Sequence, residues 1–219
     1  MQITVQGHAS AAFPPERATV HITIGFEGAE KGQVGRESTA LANDLAEHVD
    51  ELRQQDDSPV TWAALSALGT RSWRPHSTSG EVMPMRHGAS AQAKVKFRDF
   101  TALSAFIDQW GGRDGISVNH VQWTLTETRR VREEAAVLAR AVDEARQRAQ
   151  AMATAAGAGA VRFIEIADPG LLSVGREFAG QQAYAMKARG GMHSPDGGVN
   201  VSPEDVELDA TIQARFTTD

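Results

Sequence analysis

Two early segments alternate apolar and polar positions with the period of two that a strand requires. Ile3, Val5 and Gly7 share one face. Ala18, Val20, Ile22, Ile24 and Phe26 share another, with Thr19, His21 and Thr23 between them. Pro14-Pro15 divides the two segments and suits a turn. The period then lengthens: Val34, Leu41, Leu45, Val49 and Leu52 fall on one stripe at helical spacing, predicting a helix from Gln33 to Gln55. Gly32 and Gly35 weaken its first turn, and Asp56-Asp57-Ser58-Pro59 ends it, because the residue before proline avoids the helical region. Strands are expected over Val60 to Trp73 and Ala89 to Phe97. The piece between them, Arg74 to Gly88, is rich in Pro, Ser, Gly and Met and reads as a loop. A short helix from Phe100 to Trp110 turns Leu103, Phe106, Ile107 and Trp110 inward and is closed by Gly111-Gly112. A strand from Ile116 to Leu125 follows.

The strongest periodic signal lies from Glu127 to Ala156, with Thr126 or Thr128 as N-cap. Val131, Ala135, Leu138, Val142, Ala145, Ala149, Met152 and Ala156 recur at steps of four and three, an alanine-dominated seam. Small seam residues let a helix approach its partner closely. That partner is a sheet, the first long helix, or the same helix in another subunit. Gly157 to Gly159 stops the helix, and Val161 to Ile166 is a strand. The closing segment alternates through Val206, Leu208, Ala210, Ile212, Ala214 and Phe216, as a half-buried strand does. Between these two strands lies a glycine-rich stretch, about 168–205, too long for an ordinary connection in a compact domain.

The resulting order, β-β-α-β-β-α-β-α-β-loop-β, predicts an α+β fold: a mixed, mainly antiparallel sheet packed by two long helices and one short one, in a single domain over 1–219. At 219 residues the chain can bury a sizeable core, and its net charge of −6 disfavours a nucleic-acid partner. The absence of cysteine excludes disulfides, thiol nucleophiles and thiolate metal sites. No run is apolar enough to span a membrane, so no integral membrane association is expected. The N-terminal residues as written enter a strand pattern at once, with no leader-like segment. That predicts a cytoplasmic protein, or an exported one if a leader has been removed.

Several segments together resemble the SIMPL-domain family. Val5-Gln6-Gly7-His8 looks like the family's opening strand and Ala18-Thr19-Val20 like the start of its second. His120-Val121-Gln122-Trp123-Thr124-Leu125 is similar to the strand before its main helix. Glu134-Ala135, Ala139, Ala141, Ala145-Arg146, Ala149, Ala153 and Gly157 follow its alanine-rich helix pattern, and Val206 to Phe216 fits its closing strand. The family includes bacterial periplasmic oxidative-stress-defence proteins and immunogenic envelope proteins. The resemblance implies an α+β fold, self-assembly and a stress-linked, non-enzymatic role, with no catalytic residues to carry over.

The candidate chemistry is sparse. None of the seven histidines forms an H-x-x-x-H or H-E-x-x-H pair. His8, His21 and His120 all fall on predicted strands, where convergence would make a metal or acid–base site. Gly25, Gly28, Gly32 and Gly35 sit between strand and helix but match neither G-x-G-x-x-G nor the P-loop, so they are read as a flexible turn. Ser38, Ser66 and Ser90 lack a nucleophile elbow. Arg129, Arg130, Arg132, Arg140, Arg146 and Arg148 are interleaved with Glu133, Glu134, Asp143 and Glu144, which describes a solvated helix face. Met83 and Met85, with Tyr184 and Met186, are apolar residues in polar, glycine-rich loops and are candidate docking points on a neighbouring subunit. The expectation is a homo-oligomer with no cofactor and no catalysis, its subunits meeting on the seam Val131, Ala135, Leu138, Val142, Ala145, Ala149 and Met152. The alternative is a small-molecule- or metal-binding module that uses the strand histidines beneath the glycine-rich loop.

Overall fold

The structure is a computed structural model that describes residues 1–76, 82–172 and 202–218. Its order is β1 (Gln2–Phe13), β2 (Arg17–Gly28), α1 (Lys31–Arg53), β3 (Val60–Leu65), β4 (Gly69–Trp73), β5 (Arg86–Phe97), α2 (Phe100–Gly111), β6 (Ile116–Thr124), α3 (Glu127–Ala155), β7 (Val161–Ala167) and β8 (Val206–Thr218). All pairings are antiparallel, and the fold is α+β. Within the span read as one domain, contacts gather into two units, described separately below.

The first unit comprises β1, α3, β7 and β8, with sheet order β1-β8-β7. β1 and β8 come from opposite ends of the chain and pair along their whole length, from Gln2 opposite Thr217 to Phe13 opposite Val206. The alternation of Ile3, Val5 and Gly7 against Ile212, Ala214 and Phe216 turns one sheet face toward α3. That face and Ala141, Ala145, Ala149 and Ala153 of α3 form one buried cluster. The approach is close because nothing larger than alanine or glycine stands between backbones. A Cβ built on Gly7 would lie 2.0 Å from the Ala141 carbonyl oxygen.

The second unit is built from Pro14–Thr124 and holds the sheet β3-β5-β2-β6, with β4 also pairing β5. Ala18, Val20, Ile22 and Ile24 of β2 with Ala93, Val95 and Phe97 of β5 form its apolar floor. Ala42, Leu45 and Val49 of α1 and Leu103, Phe106, Ile107 and Trp110 of α2 cover it. Asp99 caps α2, accepting from the backbone N–H groups of Thr101 at 2.8 Å and Ala102 at 3.1 Å. Ser38, fully buried on α1, donates to the Ala89 carbonyl at 3.0 Å and accepts from the Phe26 N–H at 3.1 Å. That serine therefore pins the helix to two strands.

Three expectations change. The segment Val60 to Trp73 is two strands, because Ser66–Leu68 interrupt it; both halves pair with β5, at Ala93–Phe97 and Arg86–Ser90. The segments flanking Pro14-Pro15 join different sheets. Gly32 and Gly35 lie inside α1 and form no loop.

Candidate functional site

Two surfaces carry the residues singled out above. On α3 the inward stripe is Val137, Ala141, Ala145, Ala149 and Ala153, at successive steps of four. This divides the expected seam. Ala145 and Ala149 are fully buried against the unit's own sheet, so they are not available to another subunit, and Val142 packs beside them. Val131, Leu138 and Met152 point outward at 54%, 45% and 50% exposure, and Ala135 is exposed with them. Near the start of this helix, three arginines pair with its acids, Arg129 reaching Glu133 at 3.8 Å. Arg130 bonds Glu127 at 2.8 Å and Glu134 at 2.6 Å, and Arg132 bonds Glu133 at 2.7 Å.

The strand β7 adds to the exposed apolar area of this unit. α3 lies mainly over β1 and β8, so β7, at the sheet edge, is covered less. Phe163 packs on Phe216 with ring centroids 4.3 Å apart, yet Phe163, Ile164 and Ile166 stay between 40% and 48% exposed. Sequence periodicity gave no reason to single out β7, since apolar residues in a short strand read as core. Met83 and Met85 are also exposed, and they precede β5 of the second unit. Tyr184 and Met186 lie outside the described residues.

The strand histidines are partly brought together. β2 and β6 set His21 opposite His120, and their rings stack with centroids 4.2 Å apart and planes 17° off parallel. His8 belongs to β1 of the other unit, where its Nδ1 lies 3.1 Å from the Thr211 hydroxyl. The His21–His120 pair sits on the sheet face opposite the helices. One row across the sheet reads Ala64, Lys94, His21, His120, and the next Trp62, Lys96, Thr19, Gln122. No carboxylate stands in either row. His21 Nε2 is buried with no hydrogen-bond partner. Among the described residues no group of three or more His, Cys, Asp or Glu is placed to hold a metal ion.

Burial is the largest effect on His21 and lowers its pKa from the ordinary 6.5; the charges of His120 and Lys94 lower it further, and a hydrogen bond with Gln122 opposes them. The folded state therefore takes up a proton less readily than the unfolded chain. Stability is lost as pH falls below about 6.5, where the unfolded state begins to bind the proton that the native state resists. Denaturant titrations at pH 7.5 and 5.5 are expected to show a smaller loss in His21→Gln than in the parent. An equal loss would place the pH dependence elsewhere.

Two antiparallel sheets, each with a helix-covered face and linked by a chain that starts in one unit and ends in the same one, define an α+β protein whose termini pair. The family model described as SIMPL, a protein of unknown function (DUF541), matches residues 3–216, and the chain belongs to that family. No curated protein matches it significantly. None of the described helices is long and apolar enough to cross a membrane.

Proposed function

We propose that this SIMPL protein acts without catalysis, as a self-assembling interaction protein whose copies join through the β1-α3-β7-β8 unit. The observation that carries this reading is the apolar surface there: Phe163, Ile164 and Ile166 on the edge strand, with Val131, Leu138 and Met152 outward on α3. Phe163, Ile164 and Ile166 adjoin along one strand, and an exposed apolar cluster of that kind marks an interaction surface. The stress-linked role implied by the family resemblance belongs to the same reading. Light scattering on a size-exclusion column is expected to give a mass that is a multiple of the 23.5 kDa chain. A mass of one chain at all concentrations would overturn the proposal.

A second reading, a small-ligand module, has one observation in its favour: the Lys94–His21–His120 row. Lysine beside two histidines, without a carboxylate, suits an anion better than a metal cation. A thermal-shift panel of phosphate, pyrophosphate and divalent metals tests it. A rise with the anions that disappears in Lys94→Ala supports the reading, and no shift with any of them removes it.

A further inference from the structure

We infer that the Lys94–His21–His120 row seats a small doubly charged oxyanion of the sulfate and phosphate kind, and that seating it draws a proton onto His21. This rests on the small-ligand reading and adds the ligand's class and its coupling to protons.

The register makes the seat. β5, β2 and β6 lie side by side, so Lys94, His21 and His120 stand in line across three strands. Strands about 4.8 Å apart put Lys94 and His120 on either side of His21, both within reach of one ion above its ring. Both are exposed, and neither has a hydrogen bond or ion pair among the described residues. The rows on either side have the same character. One reads Trp62, Lys96, Thr19, Gln122. The other reads Gln92, Thr23, Ser117, and there Asn119 donates to the Thr23 hydroxyl at 3.0 Å. They bring one more cation, several amide and hydroxyl donors, and no carboxylate. Nothing in the three rows repels an anion.

The histidine itself favours an acceptor. His21 Nε2 is buried with no hydrogen-bond partner, which is costly in a folded protein. Once protonated, that nitrogen is a donor, and an oxyanion oxygen over the ring satisfies it. A tetrahedral ion can turn oxygens toward Lys94, His120 and His21 at once. The two oxygens of a carboxylate lie side by side and cannot.

Charge decides that the ion brings a proton with it. The imidazole centroids are 4.2 Å apart, with Lys94 on the other flank of His21. A proton on His21 therefore faces Lys94 from β5, with Lys96 beyond it, and the His120 ring from β6. β3 offers only Trp62 and Ala64, and the neighbours on β2 are Thr19 and Thr23, so no negative charge offsets them. Burial and these charges together hold His21 below its ordinary 6.5. Two negative charges placed in the row reverse that balance and favour the charged imidazole. The free site is then neutral at His21 near pH 7.5 while the bound site is protonated. Affinity rises as pH falls, and levels off once His21 protonates in the free site too.

Calorimetry with sodium sulfate tests this on the intact chain at constant ionic strength, because sulfate keeps both charges from pH 8 to pH 6. The dissociation constant is expected to fall at least about fivefold over that range. Titrations at pH 7 in two buffers of different ionisation enthalpy should show protons taken up on binding. Lys94→Ala, at an exposed position, is expected to weaken binding at least about tenfold at both pH values, and Lys96→Ala much less. His21→Gln should bind at pH 8 as the parent does and lose the gain at pH 6. Should that variant misfold, the proton count on the parent decides alone. Equal affinity at pH 8 and pH 6 with no proton uptake overturns the coupling and leaves the anion reading standing. Binding that survives Lys94→Ala, or no binding at any pH, removes both.

Discussion

Ala145→Glu is expected to unfold the β1-α3-β7-β8 unit. Ala145 is fully buried in the α3 stripe, against a sheet face of Ile3, Val5, Ala214 and Phe216. Glutamate brings both volume and charge to a place that has room for neither. A buried, unpaired carboxylate costs several kcal/mol, and the helix would have to lift off the sheet to reach water. Small domains are stable by about 5–15 kcal/mol, so a penalty of that size removes most of the margin. Circular dichroism should record the loss: α3, at 29 residues, is the longest of the described helices. Leu138→Glu, on the outward side of the same helix, should leave the spectrum unchanged. Were Ala145→Glu to fold like the parent, the inward phase assigned to α3 would be wrong.

The second large effect is at Gly7. A Cβ there meets the Ala141 carbonyl oxygen at 2.0 Å, the Ala145 Cβ at 2.8 Å and the Ala145 nitrogen at 2.9 Å. Two of these three neighbours are helix backbone, which cannot turn aside as a side chain can. Gly7→Ala is therefore expected to destabilise by about 3 kcal/mol or more, at or beyond the usual upper end for overpacking. Gly35→Ala gives the contrast. Its Cβ meets nothing within 4 Å, and α1 surrounds it, so alanine should stabilise by about 0.5–1 kcal/mol. Denaturant midpoints of the two variants should move in opposite directions. A Gly7→Ala protein as stable as the parent would mean that helix and strand are farther apart than described.

The same close approach explains which part of α3 was legible. Its existence and limits follow from periodicity. Its phase does not, because alanines stand on several sides of the helix and the larger Val131, Leu138 and Met152 draw the apolar stripe toward themselves. Gly7 on β1 and the adjoining β8 leave no space for those side chains, so the alanines go inward and the larger residues go out. Hydrophobicity predicts the reverse. The strands were equally visible as local alternation, but their partners were not. β1 pairs with β8 across nearly the whole chain, and no short-range pattern encodes that. Likewise His21 and His120 read as separate strand histidines until the β2–β6 register sets one against the other. The exposure of β7 was the least visible feature, since it depends on where α3 stops covering the sheet.

The most direct test of assembly through this unit is a pair of masses measured at the same concentration, for the parent and for an Ile164→Lys/Ile166→Lys variant. The account predicts a multiple of 23.5 kDa for the parent and one chain mass for the variant, with equal helical content in both. A parent at one chain mass, or a variant that assembles as the parent does, would contradict it.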